Sequence, residues 1–570
     1  MSSPEVAAVL IADFTIAGLA PFFAGGEPPI VKAAVAPFDQ VVPLLLDGSA
    51  ECWKAQPEIA VVWTRPQAAI KSFARVLDHE RVTMDDLLGE VDRFADCLRT
   101  ASTRVGALIV PTWTWPNHDR GLGVLNLDPE VGPAYHLMRM NIHLADTVAH
   151  DPAIHVLDAA RWVGQAGPDA SSPKLWHLGK IAFGPQVFRH AAADIKAAIR
   201  AMKGDARKVV ILDLDDTLWG GVVGDVGWEA LNLGGHQPIG EAFTAFQRAL
   251  KRLTNRGVLL AIVSKNTEAI ALEALDRHPE MVLRRNDFAG WRINWDDKVH
   301  NIIALSSDLK LGLESVVFID DNPAERSRVR EALPSVFVPE WPTDKLLYEQ
   351  ALTALTCFDT VTLSTEDRAR TRMYVSERER DAVKGSVQSI EEYLALLGLK
   401  VEAEPLNGSN AVRAIQLLNK TNQMNLATRR FTEAQYLQWA SADTHRVLVF
   451  RVSDRFDDYG LTGLASLAIE ESECQVVDFV LSCRVMGRGV EQTMLHALVE
   501  QARSLGLGRL LAVFSPTPRN GPCKAFFDER SGFVRSADGV RYTWDLKNPY
   551  PPPKHVELRS LFGTRVSAEP

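Results

Sequence analysis

The sequence predicts a multidomain α/β protein with two parallel-sheet domains followed by one α+β domain. Three observations predict it. The chain has 570 residues, too many for a single hydrophobic core. From the N-terminus to about residue 340, short apolar runs alternate with amphipathic helical stretches, the rhythm of a parallel sheet crossed over by helices. Beyond about residue 398 the rhythm changes to a helix followed by strand after strand, which reads as a largely antiparallel sheet.

Composition narrows the function classes. Hydrophobic content of 46% and charged content of 24% are those of an ordinary soluble globular protein. A formal net charge of -10 argues against nucleic acid or an anionic membrane as the main partner. The six cysteines, Cys52, Cys97, Cys357, Cys474, Cys483 and Cys523, include no C-x-x-C pair and no zinc spacing, so a reduced, cytoplasmic home is expected. The opening "MSSPEVAAVLIADF" lacks the basic stretch and cleavage site of a signal peptide, and no apolar run reaches the length of a membrane span.

In order along the chain, residues 1–200 form the first domain, with strands expected at "VAAVLIADF", "IAVVWT", "VGALIVPTWTW" and "AIHVLDA". Residues 201–360 form the second, with strands "KVVILDLD", "VLLAIVSK", "SVVFIDD" and "SVFVPEW". Residues 361–397 read as a charged connecting helix, opened by the helix-start signature in "STEDRARTRM". In residues 398–570 the helix "SNAVRAIQLLNKTNQ" precedes strands "HRVLVFRVSD", "GLTGLASLAIE" and "CQVVDFVLSCRV", then a helix and the strand "LLAVFS". The proline-rich tail "NPYPPPKHVEL" is expected to wrap or fray.

The second domain carries the chemistry. Asp213 and Asp215 lie two residues apart at the end of a strand, where open α/β sheets bind ligands. Further strand ends and a helix start supply Ser264, Lys298, Asp320 and Asp321. Like charges gathered this way need a counter-ion, and oxygen ligands suit Mg²⁺. The order D-x-D-x-T, Ser, Lys, Asp-Asp resembles the motif set of the haloacid dehalogenase (HAD) superfamily over about 130 residues. That resemblance implies a phosphatase. Asp213 would attack phosphorus, and Asp215 would protonate the leaving oxygen and then activate water. Thr217, Ser264 and Lys298 would hold the phosphoryl group. Mg²⁺ would bind Asp213, the Asp215 carbonyl and Asp321, with Asp320 behind them. The short spacings from Thr217 to Ser264 and from Ser264 to Lys298 leave room for a flap and a helix but for no large cap domain.

"DFVLSCRVMGRGVEQTMLHALVEQA" places Arg484, Gly487, Arg488 and Gly489 between a strand and a helix. R-x-x-G-x-G in that setting resembles the pyrophosphate loop of GNAT acyltransferases, as "NGPCKAFFDERSGF" resembles their closing segment. Cys483, one residue before the loop, is either a buried structural cysteine or an acyl-carrying nucleophile helped by Arg484 and a helix N-terminus. In "LLNKTNQMNLATRR", Asn419, Asn422, Gln423, Asn425 and Arg429 are either capping and surface groups or, as resemblance to the FkbH-like family implies, the lining of an acyl or phosphate site.

Together, "DLDDTLWGGVVGD", "FIDDNPAER", "LLNKTNQMNLATRR" and "LSCRVMGRGVEQ" resemble the FkbH-like family over most of the chain. The resemblance implies a glyceryltransferase/phosphatase of polyketide assembly. Such an enzyme takes a glyceryl unit from 1,3-bisphosphoglycerate, removes phosphate and loads the unit as a thioester on an acyl carrier protein, often toward methoxymalonyl extender units. An unrelated phosphatase with a separate acyltransferase activity is the alternative, and a non-catalytic scaffold is a third. Residues 1–200 faintly resemble the SGNH-hydrolase-like domain of long members. Where such hydrolases carry Gly-Asp-Ser this chain has Ala12-Asp13-Phe14, and His177 is out of Asp-x-x-His register with Asp169. A scaffold or docking domain is therefore expected there.

Overall fold

The computed structural model describes residues 5–25, 28–116, 118–363, 370–376, 378, 380, 389–431, 433–470, 472–517 and 519–560. By packing, the chain divides into two units: Met1–Val282 with Arg292–Arg368, and Leu283–Trp291 with Ala369–Pro570.

The first unit opens with strands β1 (Glu5–Ala12), β2 (Ile30–Val35), β3 (Ile59–Trp63), β4 (Ala107–Pro111) and β5 (Ile154–Leu157), ordered β2-β1-β3-β4-β5 and parallel throughout. Alternation sorts their side chains onto two faces. Val9, Ile11, Ala60 and Val62 pack with Leu87, Val91, Phe94 and Leu98 of the helix Met84–Ser102. Leu10, Val61 and Trp63 pack with Val187, Phe188 and Ile195 of the helix Pro185–Lys203. Both faces being covered, β3 and β4 are buried at every residue and read as continuous apolar runs. β2, absent from the sequence reading, is a mostly exposed edge strand whose pattern is broken by Lys32.

The second sheet contains β6 (Val209–Leu212), β7 (Leu259–Ser264), β8 (Phe288–Ile293) and β9 (Val316–Ile319) in the order β8-β7-β6-β9. β6 runs parallel to both β7 and β9. "SVFVPEW", read as a strand, contributes only a single bridge from Phe337 to Val317, because Pro334 and Pro339 bracket the run and cannot donate to a ladder. Between Thr217 and Ser264 lie a short flap closed by a Gly220–Asn232 bridge and the helix Pro238–Thr254.

The third sheet has nine strands: β10 (Leu399–Pro405), β11 (Met424–Asn425), β12 (His445–Ser453), β13 (Asp458–Glu470), β14 (Glu473–Leu481), β15 (Arg509–Val513), β16 (Val534–Arg535), β17 (Arg541–Asp545) and β18 (Val556–Ser560). Only β14–β15 and β10–β18 pair in parallel; the remaining pairs are antiparallel. The proline-rich tail wraps, ending as edge strand β18 on β10. In the connecting segment, residues 364–369, 377, 379 and 381–388 lie outside the described residues; residues 370–376 are helical, and a helix comes next at Ile390–Leu397, capped by Ser389. Among the described residues, no helix is long and apolar enough to cross a membrane.

Candidate active site

The site grows from the carboxyl ends of β6, β7 and β9. Asp213 is the first residue beyond β6 and is fixed there by its N–H, which donates to the Ile319 carbonyl of β9 at 3.0 Å. Asp320 and Asp321 directly follow β9. Asp213, Asp320 and Asp321 each offer a carboxylate oxygen, all within 4.8 Å of one another.

Lys298 begins the helix Lys298–Asp308, whose N-cap Asp297 accepts from the Val299 N–H. Its ammonium lies 2.6 Å from Asp320 Oδ2 and 3.0 Å from Asp213 Oδ1, and it is almost wholly buried. Burial alone would lower the lysine; the two carboxylates outweigh it and raise the lysine above its usual value. Burial and the Asp213 charge push Asp320 up to about 6 against the pull of Lys298. Lys345 adds a second cation, 3.5 Å from Asp321. Three carboxylates against two ammonium groups leave the cluster one positive charge short. Hard oxygen donors gathered with that deficit fit a divalent cation such as Mg²⁺. Asp320, expected behind the metal ligands, offers an oxygen within the same 4.8 Å as those of Asp213 and Asp321.

Asp215 is held apart from this cluster. Its Oδ1 accepts from Trp219 Nε1 (2.9 Å) and the Val223 N–H (3.0 Å), and its Oδ2 accepts from Asn266 Nδ2 (2.8 Å). Burial raises its pKa, and the Asp213 and Asp216 charges add to the rise. A carboxyl whose proton is held more firmly than usual, two residues from Asp213, suits a general acid.

Thr217 is fully buried, and its hydroxyl both donates to Asp321 Oδ1 (3.3 Å) and accepts from the Asp321 N–H (3.0 Å). It positions Asp321, whereas the sequence reading gave it to phosphate. Ser264 is the last residue of β7 and is buried. Three supporting residues escaped the sequence reading. Asn266 orients Asp215. Arg326 donates to the carbonyls of Asp320 and Asp321, both at 2.7 Å. Lys345 donates to the carbonyl of Asp216 at 2.6 Å, where that residue takes a left-handed φ of 53°. Only "DNPAER", with an arginine one helical turn past the aspartates, carried a local signal.

In the second unit the R-x-x-G-x-G loop lies where expected, between β14 and the helix Val490–Ser504. Gly487 and Gly489 have φ of 77° and 89°, conformations that exclude most other residues. The loop's groups are turned inward. The Gly487 N–H donates to Glu491 Oε1 at 2.6 Å, and Glu491 is buried, which raises its carboxyl. Arg488 is buried too, bonding the Tyr459 hydroxyl and lying 3.7 Å from Asp454. Arg484 donates to Ser482 Oγ and Met373 Sδ. Cys483 is exposed at the start of a three-residue 3₁₀ turn, so it is no buried structural cysteine, and the long helix begins seven residues later. Cys523, by contrast, is buried, and burial pushes its thiol up to about 12.

The "NKTNQMNLATRR" segment is tied into the fold. Asn419 bonds the Phe431 N–H and carbonyl, Asn422 accepts from Arg430, and buried Asn425 spans the Thr421 carbonyl and the Thr428 N–H. Arg429 forms a two-pronged pair with buried Asp478 at 3.0 and 2.8 Å and stacks on Phe431 and Trp439. Asn419, Asn425 and Arg429, and Asn422 through its carbonyl oxygen, make the internal bonds that the capping alternative expects.

No family model matches the chain, and no curated protein matches it. Among solved structures, the chain is similar to the N-terminal part of a Bacteroides fragilis protein containing a phosphatase domain, complexed with Mg. The identity is 30%, over 63% of this chain and 96% of that one, with a TM-score of 0.57. About a quarter of the chain overlaps the ribosomal-protein-S18-alanine N-acetyltransferase of Escherichia coli (11% identity, 26% of this chain and 94% of that one, TM-score 0.20). A similar stretch overlaps the spermidine N-acetyltransferase of Vibrio cholerae (15%, 26% and 97%, TM-score 0.21). The last two overlaps are too slight to bear on this chain's chemistry.

Proposed function

The chain belongs to the same family as the Mg-bound phosphatase-domain protein of Bacteroides fragilis, a HAD-type phosphatase, and from that premise we propose that it dephosphorylates 1,3-bisphosphoglycerate and loads the glyceryl unit as a thioester on an acyl carrier protein. The observation that carries the phosphatase half is the Asp213–Lys298–Asp320–Asp321 cluster at the ends of β6 and β9.

That substrate has two different phosphates. Its phosphate monoester is inert and needs a nucleophile: an Asp213 oxygen bonds to phosphorus as the alkoxide oxygen leaves, and Asp215 gives that oxygen its proton. Asp215, now ionised, removes a proton from water as the water attacks the aspartyl-phosphate, returning Asp213 and releasing inorganic phosphate. Lys298, paired with Asp213 at 3.0 Å, would with Ser264 face the charge on the phosphoryl oxygens. Mg²⁺, held by Asp213, Asp320 and Asp321, would neutralise further negative charge on that group. The second phosphate is an acyl phosphate, already activated. A thiolate sulfur attacking its carbonyl carbon expels phosphate and leaves a thioester, which a second thiol takes over by exchange. Exposed Cys483 is our candidate for the first thiol, and the carrier's pantetheine thiol for the second.

One observation favours the carrier protein over a separate coenzyme A-dependent activity. The Gly487 N–H that would receive a pyrophosphate is taken by the Glu491 carboxylate. Placing a further anion against that carboxylate is costly, and the arm of a carrier protein bears no pyrophosphate. The test is the intact mass of a carrier protein after incubation with enzyme and 1,3-bisphosphoglycerate. A glyceryl adduct that needs Cys483 supports the reading. An unmodified carrier with phosphate released leaves only a phosphatase, and an adduct that survives Cys483→Ser excludes this cysteine.

A further inference from the structure

The N-terminal domain keeps a cavity where a catalytic centre would stand, although its sequence lacks the nucleophile. In the order β2-β1-β3-β4-β5, the chain turns to opposite sides of the sheet between β1 and β3, and open α/β sheets bind ligands in the crevice beyond that point. Asp13 leaves β1 there and Arg65 leaves β3. Asp13 is buried and accepts from the Arg65 N–H (2.8 Å) and Arg65 Nε (2.6 Å). Phe14, at the position of a hydrolase's serine, is buried against Trp63 and Phe183 with ring centroids 5.7 and 5.3 Å away. A large ring has replaced a nucleophile, so hydrolysis by that residue is excluded. The crevice itself has not collapsed.

A cavity of about 220 Å³ remains, walled by Trp115, Trp176 and Phe183 and edged by Arg65, Gln67 and His118. Its size falls below the roughly 300–1,000 Å³ of sites for drug-sized ligands, so it suits a small molecule. Among its described lining residues there is no aspartate or glutamate, and Arg65 is the one permanently charged group. The Arg65 guanidinium is held flat against Trp176, 3.8 Å from the ring centroid, with Nε anchored on Asp13. Its two Nη groups make no hydrogen bond to the described residues. A guanidinium fixed by stacking and by a buried carboxylate, with its outer donors uncommitted at the edge of an aromatic cavity, is preorganised for a planar carboxylate.

We propose that this cavity binds a small organic acid with an apolar body. Its carboxylate would be received by the Nη edge of Arg65, and its body would lie against the Trp115, Trp176 and Phe183 walls. The pair with Asp13 cancels the guanidinium's net charge at a distance, so recognition depends on short-range hydrogen bonding rather than attraction of any anion. Inorganic phosphate would meet the same fork but has no apolar body to lie against the aromatic walls.

The test is calorimetric titration of the full-length protein with benzoate, with its uncharged counterpart benzamide, and with inorganic phosphate. Benzoate is expected to bind saturably and at least about tenfold more tightly than benzamide, the difference a charge-assisted bond makes. Any heat from phosphate is expected to be the same for wild type and Arg65→Lys, which separates this cavity from the phosphatase site. Arg65→Lys keeps a cation beside Asp13 and loses the fork; it should weaken benzoate about tenfold and leave benzamide unchanged. Trp176→Ala, at a partly exposed position, should weaken both ligands without unfolding the domain. Neither change should alter Mg²⁺-dependent phosphate release, because both residues belong to the first sheet's domain. Absence of saturable benzoate binding, equal affinity for benzoate and benzamide, or a benzoate affinity that Arg65→Lys leaves untouched overturns the proposal.

Discussion

Replacing Lys298 by methionine keeps most of the stem's volume and removes one charge, which makes it a direct probe of what holds the carboxylate cluster together. The ammonium is 2.6 Å from Asp320 and 3.0 Å from Asp213, and all three side chains are at most 10% exposed. Without it, two buried carboxylates face each other with no cation between them. Breaking a buried ion pair from one side costs about 3–5 kcal/mol, because the surviving charge stays desolvated. At roughly 2–4 °C per kcal/mol for a domain of this size, the domain's melting temperature in chelator should fall by about 6–20 °C. Mg²⁺ would bind only the folded cluster, and at a hundredfold excess over its dissociation constant it would stabilise by about 2.7 kcal/mol. Because a cation is more needed in the variant, the Mg²⁺-induced rise in melting temperature should be larger there than in the wild type. The measurement is scanning calorimetry of both proteins with chelator and with Mg²⁺. A variant that melts within about 2 °C of wild type in chelator, below what even 1 kcal/mol would produce, would refute the claim that Lys298 neutralises the cluster.

Asp213→Asn should abolish hydrolysis of a phosphate monoester such as 4-nitrophenyl phosphate, since uncatalysed hydrolysis of phosphate monoesters is slower by up to about 10²¹-fold and cannot stand in; residual Mg²⁺-dependent monoester hydrolysis by the pure variant would remove Asp213 as the nucleophile. Chelation should stop turnover, and Mg²⁺ should restore it better than Ca²⁺, whose larger shell spoils in-line attack; equal rates with both metals would count against the site as drawn. Asp215, whose carboxyl burial holds above its ordinary value, loses its proton as pH rises through that raised value. Turnover of alkyl phosphates should therefore decline with rising pH while 4-nitrophenyl phosphate, whose leaving group needs no proton, declines less; superimposable profiles would exclude Asp215 as the acid.

Much of the candidate site was legible because it is assembled by strand ends. A buried parallel strand announces itself as an apolar run, and the residues just past the run are displayed on the binding edge of the sheet. Asp213, Ser264, Asp320 and Asp321 are all found this way. The residues that hold them were less legible. Asn266 lies two positions past the β7 end and reads as a turn residue, yet packing turns its amide onto Asp215. Lys345 stands in a 3₁₀ turn remote in sequence from Asp216, and nothing local signals that its ammonium caps that carbonyl. Strands at sheet edges failed for a related reason. β2 is largely exposed and β8 is interrupted by Gly290 and Arg292, so neither shows the unbroken apolar run of β6 or β9.

In the C-terminal domain the same residue types served folding more than binding. The polar run Asn419–Arg429 has the composition of a ligand-binding loop, but a chain reversal that must bury Asn425 needs internal partners for every amide it hides. Asn425 and Asn419 supply them, and Arg429 neutralises Asp478, which is itself held by Ser466 and Tyr436 in the middle of the sheet. Removing Arg429 would thus strand a buried carboxylate and unfold the domain before it revealed any loss of acyl binding. Mutagenesis of this motif cannot by itself separate recognition from stability. Cys483 can, because it is exposed, lies outside that network, and changes only a sulfur atom when replaced by serine. The acyl-transfer half of the proposed reaction is therefore decided at that one position.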